Sequence, residues 1–171
     1  VVGPYKFTHM ASFQAFFSSV NAMLSGLWRL KAGYNVVPWA IFTNPEVARV
    51  GLSENEAKKR DIPYEVTCYQ MENLDRAQAD GEAYGFIKVL TVPRKDRILG
   101  VTIVGYHAGE LIGEFVFAMT HGMGMKKIAV VTHIYPTYIE ANKFISNSWR
   151  QERLPERYFS WTEKYFRWQR K

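Results

Sequence analysis

The sequence predicts an α+β domain in which helices cover one face of an antiparallel five-stranded sheet, with a further helix in front of the sheet. Residues 39–106 contain five short strand-like segments without helix-length crossovers between them, which favours antiparallel pairing. Segments 84–92 and 98–106 flank the polar turn PRKDR and form the clearest hairpin in the chain. Helical patterns precede and follow this region.

The N-terminal helix is predicted over residues 6–30. Its apolar residues recur at helical steps of three and four, and Thr8 has the chemistry of an N-cap. The stretch Gly33–Asn35 is expected to end this helix, and Pro38 opens the strand region.

The predicted strands begin with WAIFT (39–43) and VARVG (47–51), which a turn at 44–46 separates. A short helix over 53–60 follows, with the capping-box pair Ser53 and Glu56 at its start. The alternating segment 64–71 is the third strand, and the hairpin supplies the last two.

Three helical segments are predicted after the hairpin: 108–123, a short turn at MKKIAV, and 136–154. The last of them begins with PTYIE, where Thr137 and Glu140 have capping-box spacing. From the sequence pattern alone, helix capping is the favoured explanation for Thr137 and Glu140.

Composition excludes several classes of protein. Cys68 is the sole cysteine among 171 residues, so an intramolecular disulfide, a CxxC pair and a secreted disulfide scaffold are all ruled out, and a reducing, cytoplasmic location is expected. No apolar run reaches the length of about 18 residues that a membrane-spanning helix needs. No signal peptide is recognisable, and the absent initiator Met suggests a fragment of a longer protein.

The basic charge is concentrated at the C-terminus. Seven Lys or Arg stand against three Glu within 150–171, so this segment carries +4 of the net charge of +6. A near-neutral body argues against a nucleic-acid partner. The tail, 154–171, places Tyr158, Trp161, Tyr165 and Trp168 on one helical stripe, which suits either packing on a neighbour or contact with a membrane surface or partner.

The stretch THIYPTYIE (132–140) is the candidate site. His133 alone is more typical of a hydrogen-bonded structural residue than of a base. Tyr135 is a poor general base, because a free phenol has a pKa of about 10, but it can donate a hydrogen bond or offer its oxygen to an electrophile. The stretch by itself does not distinguish catalysis from a helix start.

Four runs resemble, in order, the C-terminal dimerisation domain of the pyridine nucleotide–disulfide oxidoreductases, over roughly residues 36–153. They are PEVARVGLSENEA (45–57), FIKVL, ILGVTIVGYHAGELIGEF (98–115) and YPTYIEA (135–141). The resemblance implies that 1–35 is a helical remnant of the preceding FAD-binding domain, that 36–153 forms a homodimer, and that 154–171 is an appended helical tail.

The resemblance also implies site residues. Thr8 and His9 would face the flavin at a helix start, and Glu140 would orient the residue at position 135 in the partner subunit's active site. FAD and NAD(P)H are expected in the full-length parent and none bound to this fragment, which is expected to be inert by itself; no metal ligands are expected. The Tyr135–Pro136 bond is expected to be cis.

The family's usual His is Tyr135 here. This variant looks like mercuric reductases and soluble transhydrogenases of the family, although the chain lacks a C-terminal cysteine pair. The favoured interpretation is a mercuric reductase-like dimerisation domain. The alternatives are part of a soluble pyridine nucleotide transhydrogenase, or a non-catalytic assembly or membrane-docking module.

Overall fold

The structure, a computed structural model, describes residues 5–24, 28–154 and 165–170. The helices are α1 (Thr8–Met23), α2 (Glu54–Lys59), α3 (Asp75–Asp80), α4 (Ala108–Thr120), α5 (Met125–Ile128) and α6 (Glu140–Gln151). The strands are β1 (Trp39–Ile41), β2 (Glu46–Gly51), β3 (Glu65–Gln70), β4 (Phe86–Thr91) and β5 (Ile98–Gly105). A 3-10 turn spans Met71–Asn73, and residues 165–169 form a further helical turn near the C-terminus.

The five strands form one antiparallel sheet in the order β1-β2-β5-β4-β3. β4 and β5 are the predicted hairpin, with Ile87 opposite Ile103 and Val89 opposite Val101. The predicted fold class is therefore confirmed. The α2 capping box also forms as expected, because the Ser53 hydroxyl accepts from the Glu56 amide while the Glu56 carboxylate accepts from the Ser53 amide.

The core lies between one face of the sheet and the helices α4 and α6. Alternation along the strands puts buried side chains such as Val50, Val101 and Ile103 on that face. Phe115 of α4 and Ile145 of α6 are fully buried against them. These contacts fix α6, and with it the segment that leads into α6 from α5.

Glu46 ties β2 to the first turn of α4, since its Oε2 accepts a hydrogen bond of 3.0 Å from the Gly109 amide. The N-cap of α4, His107, makes no capping hydrogen bond with its side chain. A residue distant in sequence thus satisfies an amide that local capping leaves open.

The N-terminal helix is shorter than predicted and begins differently. Its N-cap is Phe7 and not Thr8, which is the first helical residue. The helix ends at Met23, whereas the prediction ran to residue 30. The Asn21 side chain makes two hydrogen bonds to the Leu30 backbone, and a continuous helix would hold these residues about 13 Å apart along its axis.

The last predicted helix also begins later, at Glu140 rather than at residue 136. In the described part of the chain no helix is both long and apolar enough to cross a membrane.

Candidate functional site

The candidate site lies on the connection between α5 and α6. The Tyr135–Pro136 peptide bond in this connection is cis, which confirms the expectation drawn from the resemblance. Four apolar residues around it are exposed to solvent: Val130, Val131, Ile134 and Ile139. A surface of this kind is typical of a protein–protein interface. We call these four residues, together with Tyr135, the α5–α6 surface.

Tyr135 directly follows Ile134 in the sequence and is 66% exposed. Its hydroxyl donates a hydrogen bond of 3.0 Å to Oδ2 of Asp75, the first residue of α3. This bond, and then the charge of the carboxylate, raise the pKa of the Tyr135 phenol above its ordinary value. The side chain is therefore a neutral, accessible phenol at physiological pH.

Glu140 is 9% exposed and begins α6. Its Oε2 accepts a hydrogen bond of 3.1 Å from the Thr137 amide, which is the predicted return contact of a capping box. The prediction that Thr137 is the N-cap is wrong. The N-cap is Ile139, and the Thr137 hydroxyl donates to the Ile134 carbonyl. A hydroxyl so engaged and placed before the helix does not cap it.

The structure does not join Tyr135 and Glu140 directly, since no hydrogen bond links them in the described residues. Glu140 acts on the backbone of the connection, and Asp75 contacts the phenol. Asp75 escaped the sequence analysis because it lies 60 residues from Tyr135 and no local pattern links the two.

His133 is a structural residue, as its sequence context predicted. Its side chain is 4% exposed, and its Nε2 lies 3.1 Å from Oε1 of Glu114. The side-chain amide of Asn142 donates to the same carboxylate at 3.0 Å and also to the Leu111 backbone carbonyl. The cluster joins α4, the connection and α6. Glu114, which interrupts the apolar run 111–119, was the one sequence signal of it.

Thr8 and His9 occupy a different cleft, of about 590 Å³, between the first turn of α1 and α4. The His9 ring stacks on Phe7, and its Nε2 donates to the Pro38 carbonyl at 2.8 Å, so the imidazole is engaged within the chain. The N-cap, Phe7, offers no capping side chain to the first-turn amides.

Uncapped first-turn amides suit an anionic or carbonyl group, so the start of α1 offers its backbone amides to the cleft, while the His9 ring is already engaged with Pro38. Among the described residues, no three His, Cys, Asp or Glu side chains are grouped as metal ligands.

Comparison with known proteins gives consistent matches. The family described as "Pyridine nucleotide-disulphide oxidoreductase, dimerisation domain" matches residues 37–144. Mitochondrial dihydrolipoyl dehydrogenase of Schizosaccharomyces pombe is 40% identical over 110 residues, which are 64% of this chain and 22% of that protein. Dihydrolipoyl dehydrogenase of Chlamydia trachomatis is 34% identical over 140 residues, covering 82% of this chain and 30% of that protein.

Solved structures share the fold at low sequence identity. LpdA from Mycobacterium tuberculosis has a TM-score of 0.76 at 19% identity, over 86% of this chain and 32% of that one. The HOCl-induced flavoprotein disulfide reductase RclA from Escherichia coli has a TM-score of 0.76 at 20% identity, over 85% and 33%. The chain therefore spans about a third or less of the proteins that it matches. By its sequence match and its fold, the chain belongs to the pyridine nucleotide-disulphide oxidoreductase dimerisation domain family.

Proposed function

We propose that this chain is the dimerisation domain of an FAD-dependent, NAD(P)H-using disulfide oxidoreductase of the mercuric reductase-like kind. In the homodimer, Tyr135, Pro136, Thr137 and Glu140 enter the partner subunit's active site. The observation that carries the proposal is Tyr135, an exposed neutral phenol on a segment with four exposed apolar side chains, which a second copy of the domain would cover.

The chain supplies positioning and not electron transfer. FAD would supply the redox chemistry between NAD(P)H and a cysteine pair in the longer protein. This chain contains neither that pair nor a GxGxxG motif, so in isolation it is proposed to be inert. In the homodimer, the partner subunit would cover the apolar surface and so exclude water from the phenol. The hydrogen bond from the Thr137 backbone amide to the Glu140 carboxylate fixes the backbone that carries Tyr135. The start of α1, at Thr8 and His9, supplies backbone amides to the flavin edge.

The same proposal divides the chain into three parts. Residues 1–35 belong with the preceding FAD-binding domain: within Thr8–Met23, Met10 is the one buried residue, and Phe13 and Phe16 are exposed, as expected of a helix that packs on a missing neighbour. Residues 36–153 form the homodimer. A cytoplasmic location belongs to the proposal as well.

The tail, 154–171, is the third part, and its basic charge is the support for contact with a membrane surface or partner. Tyr158 and Trp161 of the predicted aromatic stripe lie outside the described residues. Residues 165–169 are helical, and Tyr165 and Trp168 are exposed there.

A Tyr-to-Phe variant tests the proposal in the longer protein that contains this chain. Tyr135→Phe removes one hydroxyl, so turnover should fall at least about fivefold, the equivalent of one hydrogen bond of about 1 kcal/mol, at unchanged FAD content. Tyr84→Phe is the matched control, because the Tyr84 hydroxyl also donates an exposed hydrogen bond, to Oδ1 of Asn44 at 2.8 Å.

Unchanged turnover in Tyr135→Phe would leave PTYIE as a helix entrance and refute the site. A cysteine pair in the sequence upstream supports the disulfide oxidoreductase, whereas its absence would favour the transhydrogenase.

A further inference from the structure

Asp75 and Tyr135 meet although they belong to separate parts of the fold. Asp75 begins α3, between β3 and β4, and Tyr135 lies between α5 and α6. Their hydrogen bond of 3.0 Å joins the tyrosine hydroxyl to Oδ2 of the carboxylate. This contact is the direct link between the proposed site residue and an ionisable side chain, and the proposed function assigns it no role.

The position of Asp75 is fixed by its neighbours in sequence. Leu74 and Ala77, on either side of it, are buried in the core, so the short helix α3 cannot turn freely on the surface. Its N-cap, Leu74, has no side chain that could cap the helix. A negative charge in the first turn interacts favourably with the unpaired amides there, which favours an acidic side chain at this position.

The proton inventory of the pair restricts what Tyr135 can do. A phenol has one proton to donate and lone pairs that accept, whereas an ionised carboxylate only accepts. The Tyr135 proton is directed at Asp75, which leaves the lone pairs of the hydroxyl oxygen for any group on the solvent side. Glu140 is the other acidic residue that acts on Tyr135 electrostatically, but its carboxylate accepts a hydrogen bond from the Thr137 amide and not from Tyr135.

We infer that Asp75 is a positioning residue for Tyr135, and that it makes Tyr135 a hydrogen-bond acceptor and not a proton donor toward the partner subunit's site. The inference rests on the proposed function for its setting. The group that faces Tyr135 is then a cation or a hydrogen-bond donor such as a protonated thiol. An anionic thiolate is disfavoured, because it would face the lone pairs of the Tyr135 oxygen and, behind them, the Asp75 carboxylate.

The pair can be tested in the 171-residue chain by NMR with tyrosines labelled at the ring carbon that bears the hydroxyl. The Tyr135 resonance is assigned by its loss in Tyr135→Phe. In the wild type it should shift as Asp75 is protonated in acid, and this shift should be lost in Asp75→Asn. The alkaline titration of Tyr135 should also move to lower pH in that variant.

Asp80→Asn is the matched control, because Asp80 lies on the same helix and pairs with Arg76 at 2.8 Å. It should leave the Tyr135 titration as in the wild type. A Tyr135 resonance that titrates identically in wild type and Asp75→Asn would overturn the inference.

Turnover of the longer protein separates this inference from the proposed function. Asp75→Asn should lower turnover by itself, and it should add nothing to Tyr135→Phe, because both variants remove the same interaction. Full additivity would overturn the positioning role while leaving the loss in Tyr135→Phe intact. A silent Tyr135→Phe variant, with the NMR result as expected, would refute the proposed function and leave the pair standing.

Discussion

Replacement of Glu140 by Ala measures how much the half-formed capping box stabilises the start of α6. The substitution removes a hydrogen bond of 3.1 Å from the Thr137 amide to a largely buried carboxylate. A hydrogen bond to a charged group contributes about 1.5–3 kcal/mol, and an acidic side chain at a helix start about 0.3–1 kcal/mol. We therefore expect Glu140→Ala to lower the free energy of unfolding by about 2–4 kcal/mol.

Glu140→Gln is the matched control, since glutamine also serves at this position of a capping box but carries no charge. It should lose about 1 kcal/mol. Both variants should be measured by urea unfolding, followed by circular dichroism at one fixed protein concentration, because the proposed dimerisation would make the apparent stability depend on concentration.

A Glu140→Ala variant within about 0.5 kcal/mol of the wild type, the ordinary range for a surface substitution, would refute the assignment of a stabilising bond to Thr137. Equal losses in the two variants would instead assign the effect to charge and not to the hydrogen bond.

Two further predictions concern the interface and the response to acid. In sedimentation equilibrium, Ile134→Asp should shift the chain from the proposed dimer to a monomer, because a charge would replace an apolar side chain that is 78% exposed on the α5–α6 surface. Met23→Asp is the control, since it places the same charge at an 83% exposed position of α1 and should leave the dimer intact. Equal effects of the two substitutions would contradict the proposed interface. Arg153 lies 2.6 Å from Glu65 and lowers the pKa of that carboxyl, so its stabilising contribution is present above the ordinary value of 4.5 and is lost as pH falls through the lowered pKa. Glu65→Gln should therefore flatten the decline in the urea midpoint below pH 4.5, and a decline as steep as in the wild type would contradict the ion pair.

The features that the sequence predicted well are those stabilised within a few residues. The capping box of α2 needs Ser53 and Glu56 alone, and both contacts form. The hairpin of β4 and β5 follows from alternating apolar residues on each side of a polar turn. The predicted end of the N-terminal helix was wrong, since the helix ends at Met23 instead of residue 30. Hydrogen bonds between the Asn21 side chain and the Leu30 backbone are incompatible with a continuous helix through both residues.

The sequence by itself determined the fold class, the family resemblance and the position of Tyr135 before a proline, because periodicity and motif spacing are local properties of the chain. Only the tertiary structure decided which side chains meet. It paired Tyr135 with Asp75, and it enclosed His133 with Glu114 and Asn142. These contacts depend on how α3, α4 and α6 pack on the sheet, and no pattern within a short window of sequence encodes that packing.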